Sequence, residues 1–247
     1  MAARTARSLR VRDPDARERL AALLPQVAPG ALAGERTIEV DPVLHALLPN
    51  GLSRGSSVLC AGGAAASMAF LLVAAATRSG SWLGVAGLPT FGVDAAREAG
   101  VALERVLQVR DGGPTDVAGD ERCAQVLGGL VDGFDLILFG AAAQVRPATA
   151  RRAQARVQAR GAVLVLVGDD ASTAAGAFST DVRLTSRSTW QGISDGHGHL
   201  RARRVDLAAE GRRMHGVRRH ELWFPDVHGA ITPATPAGTP VPLRRTG

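Results

Sequence analysis

Apolar residues come in two alternating kinds of run, and the alternation sets the expected architecture. Thr37 to Val40 reads as a short strand, Asp41 to Leu48 as a turn of helix, and Val58 to Cys60 as an apolar strand entering a small-residue turn at Ala61 to Ala66. A long apolar helix follows from Ser67 to Arg78, then a strand at Trp82 to Ala86, a helix at Asp94 to Ala99, a strand at Arg105 to Val109 and a helix at Glu121 to Leu130. Phe134 to Phe139 and Ala162 to Val167 are further strands, separated by a helix from Pro147 to Ala159 with arginine on its wet face. Continuous apolar strands such as LILF and AVLVLV belong to a parallel sheet buried on both sides, so the pattern predicts an α/β fold, mainly parallel, flanked by helices.

The pattern changes towards both ends. Asp13 and Pro14 read as an N-cap and first helical position, and Leu20, Leu23, Leu24 and Val27 follow at helical spacing. After Val167 the stretch Asp169 to Thr180 reads as a loop, and Val182 to Leu184, Leu200 to Leu207 and Val217 to Trp223 read as strands with no helix between them. Antiparallel strands added at the C-terminal side of the sheet are therefore expected. The predicted division is a basic arm and amphipathic helix over 1–36, an α/β domain over 37–224, and a disordered tail rich in proline and glycine over 225–247.

Charge sharpens this picture. The net charge is +6, and all 29 basic side chains are arginine, a balance that suits nucleic acid or an acidic protein partner. Cys60 and Cys123 have no metal-ligand spacing and are too few for a disulfide framework. The longest apolar run, Met68 to Ala76, is too short to span a bilayer, and no apolar segment follows the N-terminal arginines as a secretory signal would. A soluble cytoplasmic protein with no membrane association is expected.

The central candidate is Gly51 to Ala76, which has the layout of a phosphate-binding strand, loop and helix. In G-x-x-x-x-G-K-[ST] the glycines admit backbone N–H groups to a triphosphate, the lysine neutralises it and the hydroxyl holds magnesium. Counted from Gly62, Ser67 stands at the second glycine, Met68 at the lysine and Ala69 at the hydroxyl. With no lysine in the chain, no shift of register supplies one. Arg54 precedes the strand and Arg78 ends the helix, so neither replaces it. Taken alone, the loop reads equally well as a βα turn with glycines for tight packing.

Other constellations are weaker. His197, His199, His215, His220 and His228 crowd the last third but lack a thiolate or carboxylate ligand set, and no G-x-S-x-G elbow follows a strand. Arg201, Arg203, Arg204, Arg212, Arg213, Arg218 and Arg219 form a candidate partner or DNA contact; strand alternation puts Arg201 and Arg203 with Val205 and turns Arg204 to the opposite face. The same arginines would also protect a solvated sheet edge. Trp190, Trp223 and Phe224 are the nearby aromatics, with Trp223 and Phe224 either a partner anchor or the end of the last core strand.

The order of elements resembles the RecA core. GLSRGSSVLCAGG resembles the turn and strand before the RecA phosphate loop, WLGVAGLPTFGVDAAREAGVALERVLQV its second strand, helix and third strand, and GFDLILFG its Walker B strand, over about Thr37 to Val167. The resemblance implies a RecA-like fold. An active member would carry the Walker B aspartate where Gly140 stands, and a water-activating glutamate after the second strand, where AGLPTFG offers no acid before Asp94. With lysine, hydroxyl and both carboxylates missing, a degenerate P-loop pseudo-ATPase is expected, with no catalytic residue, cofactor or metal.

Among such proteins, GVALERVLQV, the segment GRRMHGVRRHELWFP and the total length resemble the actinobacterial ImuA-type accessory proteins of the SOS mutasome. That resemblance implies a non-catalytic adaptor in SOS-induced mutagenic translesion DNA synthesis, cytoplasmic and nucleoid-associated during DNA damage. Its implied partners are an ImuB-type inactive Y-family polymerase homologue and an error-prone C-family polymerase, with weak DNA binding as a further candidate. A SulA-like division inhibitor and a divergent nucleotide-binding, recombinase-like DNA-binding protein are the alternatives.

Overall fold

The computed structural model describes residues 7–10, 37–88, 91–110, 119–140, 145–168, 177–194 and 197–234. In chain order the strands are β1 (Arg7–Arg10), β2 (Thr37–Ile38), β3 (Leu52–Ser53), β4 (Ser57–Gly62), β5 (Leu83–Ala86), β6 (Val106–Arg110), β7 (Leu136–Gly140), β8 (Val163–Gly168), β9 (Val182–Ser194), β10 (His197–Gly211), β11 (Arg218–Trp223) and β12 (Thr232–Pro233). The helices are α1 (Ala65–Arg78), α2 (Val93–Glu98), α3 (Gly119–Gly133) and α4 (Pro147–Arg160). All strands but β2 and β3 join one sheet, in the order β1-β6-β5-β7-β8-β4-β9-β10-β11-β12. Neighbours from β1 to β9 run parallel, and β10 to β12 continue antiparallel.

The strands are apolar on both faces because both faces are covered. Val58, Cys60, Leu136, Leu138, Val163 and Val165 pack in one layer with α1 and α2, while Leu59, Ala61, Ile137, Phe139, Leu164 and Leu166 pack with α3 and α4. Successive strand residues point to opposite faces, so the unbroken apolar runs feed two cores at once. Helix α1 is buried continuously from Met68 to Thr77, as a helix apolar on all sides must be. Helix α4 buries Thr149, Ala150, Ala153 and Val157 and ends at Gly161, whose φ of 70° provides the left-handed cap. Asp132 on α3 pairs with Arg156 and Arg160 on α4. Arg54 is fixed at the far end of β4 by Asp135 at 3.3 Å and by the Gly161 carbonyl.

The structure departs from the expected pattern in four places. Arg7–Arg10 of the basic arm form an edge strand, parallel to β6; the amphipathic helix expected after it lies outside the described residues. Strand β9 joins the sheet parallel to β4, so the antiparallel additions begin only at β10. The β9–β10 hairpin is also much longer than Val182 to Leu184 and Leu200 to Leu207, because its outer residues are held by cross-strand pairing rather than by burial. Finally, 225–234 are ordered: Asp226 Oδ1 accepts from the N–H groups of His228 and Ala230, Ile231 packs on the core, and Thr232–Pro233 pair with β11. Proline is tolerated there because β12 is an edge strand. The rest of the expected tail, 235–247, lies outside the described residues. No helix among the described residues is long and apolar enough to cross a membrane.

Candidate functional site

The loop between β4 and α1 lies at the carboxyl end of the parallel strands, where open α/β sheets place their ligands. Here a residue of the neighbouring strand fills it. The Gly63 N–H donates to the Ser186 carbonyl at 3.2 Å, and the Ala64 N–H donates to Ser186 Oγ at 3.0 Å. Ser186 Oγ donates in turn to the Ala61 carbonyl at 2.9 Å. Gly62 has φ of 92°, and a Cβ on it would lie 2.1 Å from the Ser186 carbonyl oxygen, so the loop is pressed against β9. Two amides that a phosphate loop would turn to its ligand are thus spent within the protein. Ser186 also acts as a cap from outside, since the N-cap residue Ala64 makes no side-chain cap bond.

The other motif positions are closed as well. Met68 is 1% exposed and Ala69 is fully buried, so the lysine and hydroxyl positions face the core. At Gly140, which the RecA resemblance sets against the Walker B aspartate, a Cβ would lie 1.9 Å from the carbonyl oxygen of Gly87, which leaves no room for a carboxylate. Asp94, the first acid after β5, is exposed on α2 and paired with Arg97 at 3.1 Å. Ser67 does have a polar partner, accepting from Arg203 Nη2 at 2.7 Å.

Arg203 reaches this end of the sheet from β10. Its Nε donates to the Phe224 carbonyl at 2.7 Å, and its guanidinium lies 5.2 Å from the Trp190 ring centroid and 5.3 Å from that of Phe224. Partial burial holds its pKa below the ordinary arginine value. Arg203 shares a face with Val205, as alternation requires.

The seven candidate arginines do not form one patch. Arg204 pairs with Asp206 at 3.4 Å and with Glu221, opposite Trp223 on the far face. Arg212 donates to Ser179, and Arg218 donates to the Leu47 carbonyl at 2.9 Å. Together with the exposed Arg213 and Arg219 these lie towards the β10–β11 turn, roughly 17 to 30 Å from Arg203 at the usual rise per strand residue. Arg201 is exposed beside Gly192. Phe224 is buried, as the end of a core strand would be, and Trp223 is half-buried. Among the described residues no cluster of three or more His, Cys, Asp or Glu could hold a metal ion. Burial raises the Cys60 thiol to about 12, so it offers no thiolate near neutral pH.

Sequence reasoning singled out this loop but missed Ser186, which takes its amides, and Gly87, whose carbonyl fills the space at Gly140. Ser186 acts across 122 positions of chain, in a stretch with no motif.

A family model described as MT3502 N-terminal domain matches residues 46–172. The match covers just over half of the chain. The chain belongs to this family. No curated protein matches it. The portion matching the MT3502 N-terminal domain takes in β3 to β8 with α1 to α4 and ends before β9. Gly62, Met68, Gly87 and Gly140 therefore lie within the family domain, while Ser186, Trp190 and Arg203 lie beyond it.

Proposed function

We propose that this chain is a RecA-like pseudo-ATPase adaptor, acting in SOS-induced mutagenic translesion DNA synthesis between an ImuB-type inactive Y-family polymerase homologue and an error-prone C-family polymerase. The observation that carries the proposal is the phosphate loop closed by Ser186, with Met68 in the core and Gly140 against Gly87. The RecA comparison is supported by the sequence of β4, α1, β5, α2, β6, α3 and β7 within one parallel sheet, with β4 in the place of the phosphate-loop strand and β7 in that of the Walker B strand. The adaptor role draws support from the large C-terminal sheet extension, which adds β9 to β12 to the family domain and carries most of the candidate contact residues.

Capture with the full chain as bait, from cells induced by DNA damage, tests the role. Retention of an inactive polymerase homologue by the full chain, lost on truncation after Leu200, is the expected outcome. Retention of the division protein FtsZ instead would replace the proposal with the SulA-like alternative. In parallel, ATP with magnesium is expected to leave the melting temperature unchanged; a clear rise would overturn the pseudo-ATPase assignment.

A further inference from the structure

Ser186 is the last β9 residue paired with β4; beyond it, β9 and β10 continue as a ribbon that β11 still flanks as far as Arg204 and Trp223, and that is two-stranded only past Trp190 and Arg203. Gln191 to Ser194 extend the two-stranded part by roughly 13 Å at about 3.3 Å per residue. The two faces of this ribbon differ. On one, Arg204 is spent on Asp206 and Glu221. On the other, Trp190 lies opposite Arg203, and Gly192 follows beside Arg201. Gly192 has φ of 106°, and a Cβ there would lie 2.3 Å from the His199 carbonyl oxygen, so the ribbon backbone requires glycine at this point, with the Arg201 side chain beside it.

Trp190 is 45% exposed, although its ring is fixed by the Arg203 guanidinium. Neither Arg201 nor Arg203 has a carboxylate partner among the described residues. Arg203 also links this face, through Ser67, to the start of α1, whose first turn has no acidic residue. The partial positive charge of a helix N-terminus adds to that of the arginines. The result is a half-exposed indole beside two arginines that have no carboxylate partner among the described residues.

We infer that this face binds single-stranded nucleic acid, with a base stacked on Trp190 and the adjoining phosphates at Arg201 and Arg203. Stacking uses the exposed indole and charge pairing uses the arginines, the combination by which single strands are held without sequence preference. An acidic peptide would use the arginines and leave the indole without a role. In duplex DNA the bases are already stacked on each other. The inference deepens the adaptor proposal and rests on it for its setting.

The test is a titration of the purified full chain with fluorescently labelled twenty-residue oligothymidylate, following anisotropy and tryptophan emission at several salt concentrations. Saturable binding with quenched emission is expected. Trp190→Ala should weaken it about tenfold, and Trp190→Phe by less. Arg201→Ala should lower the slope of log affinity against log salt by about 0.7. Labelled polyglutamate of equal length should bind at least about tenfold more weakly, since it cannot stack. Absence of saturable binding at about 50 mM salt, unchanged affinity in a folded Trp190→Ala protein, or equal affinity for polyglutamate would each overturn the inference. Because no partner protein is present, failure here leaves the capture experiment to decide the adaptor role separately.

Discussion

Met68→Lys would place a lysine where an active phosphate loop has one, and the structure gives the opposite of a gain of function. The side chain at this position is 1% exposed within the core layer around α1. A lysine there exchanges a buried thioether for an ammonium that must be neutralised. A buried lysine titrates at about 5–6 against about 10.4 in the unfolded chain. Neutralising it at pH 7 costs about 1.36 kcal/mol for each of about 3.4 pH units, or about 4.6 kcal/mol. Its aliphatic stem recovers most of the apolar burial, so a loss of about 5 kcal/mol is expected, comparable with the whole stability of many domains. The sign is fixed by the depressed folded pKa: the penalty is greatest below that value and fades as pH rises towards the unfolded one. Urea unfolding should therefore show a low midpoint at pH 7 that recovers towards pH 10, while Met68→Leu stays within about 1.5 kcal/mol of the parent. Parent-like stability in Met68→Lys, together with a thermal shift on adding ATP and magnesium, would refute the placement of this residue in the core.

Gly140→Ala should destabilise severely, because its Cβ would lie 1.9 Å from a backbone oxygen that cannot rotate away; thermal melting checks this, and a parent-like melt counts against the strand packing. Asp226 has its pKa lowered, first by the N–H donors of Ala230 and then of His228. It therefore contributes stability above the unfolded carboxylate value that is lost as pH falls through the folded one; the melting-temperature drop between pH 7 and pH 3 should be smaller in Asp226→Asn. Cys60, with its thiol raised to about 12, should resist alkylation at pH 8 until the protein unfolds, as mass spectrometry of urea-treated samples would show.

Most of the parallel sheet was legible because its physics is local. A strand buried on both faces must be apolar throughout, and β4, β7 and β8 satisfy this within a residue or two of the expected bounds. The outer part of β9 gives no such signal: Arg187, Thr189 and Gln191 are exposed, and cross-strand pairs with β10 make it a strand. The same limit explains the expected tail, since Thr232–Pro233 become a strand only through the edge of β11. At the loop, the missing lysine and carboxylate were visible as letters. That a serine takes the loop amides and a backbone carbonyl the space at Gly140 was not, because both contacts join segments distant in sequence.

That difference bears on how far the loop stands from a phosphate cradle. A cradle lacking only the charged residues would keep the Gly63 and Ala64 amides turned outward and space at the end of β7. Instead Ser186 takes both amides, and Gly140 admits the Gly87 carbonyl. Each closure secures contacts between strands: Ser186 fixes β9 to the loop, and the glycine pair brings the ends of β5 and β7 together. Reversing any one of them leaves buried polar groups without partners or forces overlap, and either cost accrues before a nucleotide could repay it. Such positions are coupled through shared neighbours, so their effects should not add. Ser186 thus belongs to the base from which β9 and β10 continue past the end of β4, and the closed loop gives them a fixed origin.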